Sequence, residues 1–347
     1  MTDLKTRLKA MIRASGPISV ATYMDLCLHD RKHGYYATRP GLGEDFITAP
    51  ETSQVFGELI GLWAAREWQQ MGAPEAFYLI EIGPGRGMLM ADALRATTRV
   101  PGFHDAADLC FIEPSPVLQA KLKTRFDAEF LSDLDSIPTD QPILIIANEW
   151  LDCLPVQQFV RVGDAWHERV IGLDSDGRLV FGLKTEVLPP ETIIASTQTT
   201  LELQPGLKTL CETLQLLFRD APGRALFIDY GTTELAPEDT LRSYLKGQQI
   251  DPLAEPGGSD LTCDVDFVRL RKLAKAQGLK VDGPVSQSQF LLSLGAEARL
   301  NQLAKQHPDR ADDLYARVKI LVDPAEMGTR FQAIAISRSE LPSAAAF

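Results

Sequence analysis

The stretch Tyr78-Leu79-Ile80-Glu81-Ile82-Gly83-Pro84-Gly85-Arg86-Gly87 decides the fold. Residues 78–82 read as a short buried strand carrying one acid, and glycine then recurs at every second position. Residues 88–96, MLMADALRA, have the composition of a helix. A strand that runs into a glycine turn and then a helix opens a doubly wound α/β domain. Small residues in the turn let a ligand approach the backbone, and the helix start offers free N–H groups.

Two cofactor classes use that geometry. A dinucleotide fingerprint is G-x-G-x-x-G, with the pyrophosphate on the helix N-terminus. Here the third glycine, Gly87, comes one place early, and Met88 stands at the dinucleotide position. Glu81 lies beside the cradle, where a carboxylate would repel a pyrophosphate. It would suit a ligand that carries an ammonium and a sulfonium, such as S-adenosylmethionine. The plain alternative is a glycine turn that only links strand to helix. A second acid sharpens the reading. Residues 108–113 form the next strand, ending in Glu113, which is placed to accept hydrogen bonds from both ribose hydroxyls. The two acids are 32 residues apart, longer than the usual ~20, and the loop around 99–102 absorbs the excess.

Further along, helix 117–126 leads to a short strand at 127–131. Asp133 after it is placed to bond an adenine amino group. Residues 142–147 are an uninterrupted apolar run, as a central parallel strand should be. It ends in Asn148-Glu149-Trp150-Leu151-Asp152, and ligands bind at the carboxyl ends of such strands. Glu149 and Asp152 are three apart, so one helical turn would put both on one face. Strand 224–231 ends in Asp229-Tyr230-Gly231, which points Asp229 into the same cleft.

The acid excess, Asp+Glu 47 against Lys+Arg 35 for a net charge of −12, argues against nucleic acid as a partner and favours a basic peptide. Five scattered cysteines without a C-x-x-C pair indicate reduced thiols. No apolar run approaches the ~18 residues of a membrane span. The first residues, broken by charges, are not a signal peptide, and a cytoplasmic location is expected. No metal is expected: His29 and His33 are four apart, but the HExxH pattern fails at Asp30 and no third ligand is evident. Asp174-Ser175-Asp176-Gly177 is a hairpin turn without the acids of a calcium loop.

These features divide the chain in three. Residues 1–75 form a helical cap with a covering loop, including an amphipathic helix at 55–71. A core spans 76–340, interrupted by a β-rich insertion at about 156–205, and 341–347 are a tail. Within the insertion, 156–162, 166–173 and 179–183 read as strands and 183–205 as a polar connection. Helices are expected at 207–219 and 286–305, another ends near Gly278 behind a cap at Asp264 or Asp266, and strands are expected at 279–281 and 327–337.

Laid out in order, GPISVATYM (16–24), HGYY (33–36), DFITAPETSQVFGELIGLW (45–63), EIGPGRG (81–87), EPSP (113–116), ANEWLDCLPV (147–156), IDYG (228–231), DLTCDVDF (260–267), GPVSQSQFLLSLG (283–295) and EMGTRF (326–331) resemble the MidA-type class I S-adenosylmethionine-dependent methyltransferases. The mitochondrial members of that family are complex I assembly factors. The resemblance covers nearly the whole chain. It implies a Rossmann-like, seven-stranded, mostly parallel sheet and S-adenosylmethionine as cofactor. It also suggests an arginine of a complex I core subunit as methyl acceptor. Glu81, Gly83, Gly85, Gly87, Glu113, Asp133 and Asn148 then fall to the cofactor, with Tyr36 and Thr48 from a loop at 35–53 that folds over the cleft. Glu149, supported by Asp152 and Asp229, is the expected grip on the guanidinium. Several members of the family carry His at position 264 and many carry Phe at 150, so a proton-transfer role at 264 is put in doubt. A non-catalytic assembly chaperone, a nucleotide-dependent oxidoreductase and a small-molecule methyltransferase are the competing readings.

Overall fold

The computed structural model describes residues 3–38, 48–187, 199–233 and 239–347. Part of the covering loop (39–47) and part of the expected connection (188–198) lie outside the described residues. The central sheet consists of β1 (Phe77–Ile82), β2 (Ala107–Ile112), β3 (Glu129–Leu131), β4 (Ile143–Asn148), β5 (Gly223–Thr232), β6 (Lys280–Ser286) and β7 (Phe331–Ser337). Their spatial order is β6-β7-β5-β4-β1-β2-β3. β3, β2, β1, β4 and β5 pair in parallel, and β7 runs antiparallel between β5 and β6. This is the seven-stranded, mostly parallel sheet of the class I methyltransferase fold, with Val265–Asp266 adding a short parallel pair at the end of β5. The chain builds outward from β1 to β3, then returns to lay β4 on the other side of β1. The reversal opens a crevice at the carboxyl ends of β1 and β4, where open α/β sheets bind ligands.

Side-chain alternation sorts the sheet residues between two cores. Leu79, Leu144, Ile146, Leu226 and Ile228 join the helices Gln54–Gln70 and Met88–Thr97 through Phe56, Trp63, Leu89 and Met90. Ile80, Ile82, Ile145, Ala225 and Phe227 face the helices Pro205–Leu217 and Phe267–Ala276 through Leu207, Leu214 and Leu270. The first pair of helices approaches closely because Gly61 has no side chain: a Cβ there would come within 2.5 Å of the Ala93 backbone.

A third core joins the N-terminal helices Leu4–Ser15 and Val20–His29 to the insertion through Leu8, Tyr23, Met24, Val156 and Ile171. Ile18–Ser19 even pairs antiparallel with the insertion strand Ala165–Leu173. The insertion also contains Gln157–Val162, Leu179–Val187 and, within the expected polar connection, a strand at Thr200–Leu203. A second small sheet, of Arg242–Leu245, Gln248–Ile250 and Asp260–Thr262, was not expected from the sequence. Its hairpin turns at Lys246 and Gly247, both at positive φ, a weaker turn signal than Asn-Gly.

Two other expectations are corrected. The helix expected at 286–305 breaks at Gly295 (φ 93°) into Gln287–Ser293 and Ala296–Gln306. The last strand starts at Phe331, not 327, because Met327–Arg330 forms a helical turn with Gly328 pressed against the Val322 backbone. A helix at Ala311–Val322 precedes it.

Candidate active site

The glycine turn after β1 takes its shape from left-handed backbone: Gly83, Gly85 and Gly87 have φ of 65°, 53° and 71°. A side chain at any of them would be strained. At Gly87 space is lacking too, since a Cβ would meet Leu122 and Phe126 at 2.7 Å. Gly87 therefore shapes the turn from behind, whereas Gly83 and Gly85 line the cleft.

Glu81 and Glu113 end β1 and begin the turn after β2, and both are 4% exposed. Burial, with Glu113 nearby, pushes the Glu81 pKa up to about 8. Burial pushes Glu113 to about 7 against the pull of N–H bonds from Ser115 and Gly85. The Ser115 N–H donates to Glu113 Oε1 at 2.8 Å. Among the described residues, Glu81 Oε2 is buried with no hydrogen-bond partner, as is Asn148 Oδ1 at the end of β4. Such atoms are costly unless a ligand supplies donors. The site thus fits a cationic, donor-rich molecule beside an open glycine cradle, which describes S-adenosylmethionine better than a dinucleotide. Asp133 also lines this cleft, with Oδ1 accepting from the Ser136 N–H at 2.9 Å and Oδ2 from the Ser132 hydroxyl at 3.0 Å.

Glu149 follows β4 in left-handed backbone, φ 53°, and its N–H bonds the Ile228 carbonyl at 2.9 Å. Its Oε1 accepts from the Asn148 side-chain amide at 2.9 Å and the Ala49 N–H at 3.2 Å. Burial pushes its pKa up to about 7. A non-glycine residue at positive φ is an observed strain of the kind that gathers at functional sites.

Asp152 sits one short turn later. Its Oδ2 accepts from the Tyr230 hydroxyl at 2.6 Å and from Thr262 at 2.7 Å. The Cys153 thiol bonds its Oδ1 at 3.2 Å and lies 2.7 Å from the Tyr36 hydroxyl. His29 stacks on Tyr36, with ring centroids 5.8 Å apart.

Asp229 differs from the expectation. It is fully buried and does not line the cleft. Its Oδ2 accepts from the N–H groups of Trp150, Leu151 and Asp152 at 2.8–3.1 Å, and its Oδ1 from the Tyr230 N–H at 2.9 Å. Burial, with Asp152 and Glu149 nearby, raises its pKa, and the donated N–H bonds oppose that. Its observed work is to hold the turn that presents Glu149 and Asp152.

One continuous cleft of about 810 Å³ connects these groups. Glu81, Gly83, Gly85, Glu113, Asp133, Asn148, Glu149, Asp152, Tyr36 and Thr48 all line it. The sequence reading missed Tyr230, Asp260, Thr262, Asp264 and Arg330, which share its wall. The Asp-Tyr-Gly strand end and the acid-rich run 260–266 were the available signals. Among the described residues, the lining holds nine carboxylates against three arginines and no lysine, so it suits cations.

Fold and cleft together define a class I methyltransferase. The chain matches the family described as "Putative S-adenosyl-L-methionine-dependent methyltransferase" over residues 59–285. A Drosophila melanogaster relative, named "Protein arginine methyltransferase NDUFAF7 homolog, mitochondrial", is 35% identical across 96% of this chain and 84% of its own. The Homo sapiens protein named "Protein arginine methyltransferase NDUFAF7, mitochondrial" is 32% identical across 97% of this chain and 83% of its own. A Burkholderia thailandensis structure bound to S-adenosyl-homocysteine superposes with a TM-score of 0.86 at 25% identity, covering 99% of this chain and 93% of that one. The chain belongs to this family of S-adenosylmethionine-dependent methyltransferases, and S-adenosylmethionine is its cofactor. The expected cytoplasmic location is overturned, because the Drosophila melanogaster and Homo sapiens relatives are named as mitochondrial proteins. Among the described residues, no helix is long and apolar enough to cross a membrane.

Proposed function

We propose that the chain is a protein arginine N-methyltransferase, and that its acceptor is an arginine of a complex I core subunit. The observation that carries the first part is the acid-rich, tyrosine-walled half of the cleft, continuous with the cofactor cradle. The names of the relatives also support the first part, and the family resemblance supports the second.

S-adenosylmethionine supplies an electrophilic methyl group on a sulfonium. The residues of the chain position what reacts with it. A guanidinium is a poor nucleophile because its lone pair is delocalised and its pKa exceeds ~12. A carboxylate that grips two of its nitrogens orients the third and localises charge away from it. Glu149 fills that role, steadied by Asn148 and the Ala49 N–H. Asp152, tied to Tyr230 and Thr262, is the second carboxylate on the acceptor path. Glu81 and Glu113, which line the cradle half of the cleft, would hold the ammonium and ribose ends of the cofactor. Closure around the reacting atoms lowers the barrier chiefly through orientation.

Incubation with methyl-labelled S-adenosylmethionine and the isolated complex I core subunits tests the reading. Acid hydrolysis should release label as methylarginine, and Glu149→Gln should slow its appearance by about 10² or more. Label recovered in another residue or only in small molecules would sink the arginine assignment.

A further inference from the structure

The three arginines of the cleft wall among the described residues are not equivalent. Arg86 is held by Glu51 at 2.8 Å, and Arg242 donates to main-chain carbonyls of Asp239 and Leu241. Arg330 alone reaches across to an acid of the acceptor half. Its two terminal nitrogens donate to both oxygens of Asp264, each at 2.6 Å. Its guanidinium also lies over the Tyr230 ring, 5.1 Å from the centroid. Asp264 is 12% exposed but the Arg330 side chain is 50% exposed. The acid and the ring are thus fixed parts of the wall, and the arginine is a visitor from the solvent side. The ring is fixed in turn, edge-on to Phe331 and through its hydroxyl to Asp152.

A forked carboxylate and an aromatic face are what a guanidinium recognises, whichever chain carries it. We propose that Asp264 and Tyr230 form an outer clamp that docks the acceptor guanidinium before Glu149 grips it, and that Arg330 is an internal occupant which the acceptor arginine displaces. This rests on the arginine reading of the cleft. Arg330 lies on the turn Met327–Arg330, directly before β7. It can swing to solvent without disturbing the sheet. While it sits on Asp264, the clamp selects against acceptors that cannot replace both hydrogen bonds. A lysine, with one compact charge, cannot. An internal competitor also lowers the apparent affinity by the fraction of time it holds the site.

The test is titration of N-acetyl-arginine methylamide into the whole chain loaded with S-adenosylhomocysteine. Arg330→Met should bind this probe about tenfold more tightly than the wild type. Adding Asp264→Asn should remove the gain, and N-acetyl-lysine methylamide should show none. In turnover the same variant should lower KM for the acceptor. Equal or weaker binding of the arginine probe by Arg330→Met would overturn the proposal. If Arg330→Met does not fold, as judged by melting and S-adenosylhomocysteine binding, Arg330→Lys replaces it. That variant keeps the charge, loses the fork and should show part of the gain; no gain counts against the clamp. The two readings fail separately. Methylarginine from the wild type without a gain in the variant leaves the arginine enzyme standing and removes the clamp. A gain without methylarginine keeps the clamp and removes the acceptor assignment.

Discussion

Glu81, Glu113 and Glu149 share one electrostatic condition: burial lifts their pKa values to about 8, 7 and 7, above the ordinary 4.5. In the ligand-free protein they hold protons that the unfolded chain releases near 4.5. The stability this contributes is complete below that value and is lost as pH rises through about 7 to 8. The urea midpoint of the ligand-free protein should therefore fall between about pH 6 and about pH 8.5, and fall less in Glu81→Gln. A cationic cofactor works in the opposite sense, because it needs Glu81 ionised. Its affinity should rise across the same window, and binding near neutral pH should expel protons. Titration in two buffers of different ionisation heat reads that release; equal heats would refute it. Glu149→Gln keeps shape and both observed bonds to its side-chain oxygen but removes the charge. It should lower kcat by about 10² or more with cofactor affinity near wild type. At this scale the sequence was informative where an acid ends a strand, as at Glu81, Glu113 and Glu149. It misled at Asp229, whose contacts with 150–152 depend on β4 and β5 lying side by side.

The element that organises the site is the β1 turn, and its three glycines were legible because positive φ has so few other occupants. Gly87→Ala adds a methyl within 2.7 Å of Leu122 and Phe126 at φ 71°. That should cost about 1–3 kcal/mol, read as a lower urea midpoint, together with weaker cofactor binding because the neighbouring N–H groups shift. Unchanged affinity in a destabilised variant would show that Gly87 serves packing alone. Strands buried on both faces were also legible, since 78–82 and 142–147 are apolar runs bounded by turns. The small sheet at 242–262 was not, because its strands are three or four residues long and exchange hydrogen bonds with each other instead of burying a continuous apolar run. The turn at 327–330 was missed for a related reason: MGTRFQAIAIS has strand composition throughout, and only the packing of Gly328 on Val322 ends the strand early.

At the scale of the whole molecule, the final residues are part of the fold. Glu67, from the helix on one face of the sheet, pairs with Arg224 at the start of β5, and both are at most 1% exposed. Glu67 Oε1 also accepts from the Ala345 N–H at 2.8 Å, Arg224 bonds the Pro342 carbonyl, and Phe347 packs on Phe290 at 5.1 Å. One buried ion pair therefore ties a helix, the sheet and the chain end, and burial lowers the Arg224 pKa to about 10. Two charges taken out of water are stabilising only as a pair, so removing one partner strands the other. Arg224→Ala should cost about 3–5 kcal/mol, whereas Arg224→Met with Glu67→Leu should recover most of that loss. The urea midpoint measures both. Limited proteolysis adds a readout of the tie itself: the single variant should release residues 341–347 to a carboxypeptidase well below the unfolding midpoint, and the wild type should not. If the double variant is no better than the single one, the contribution lies in the hydrogen bonds to Pro342 and Ala345, not in the pairing of charges.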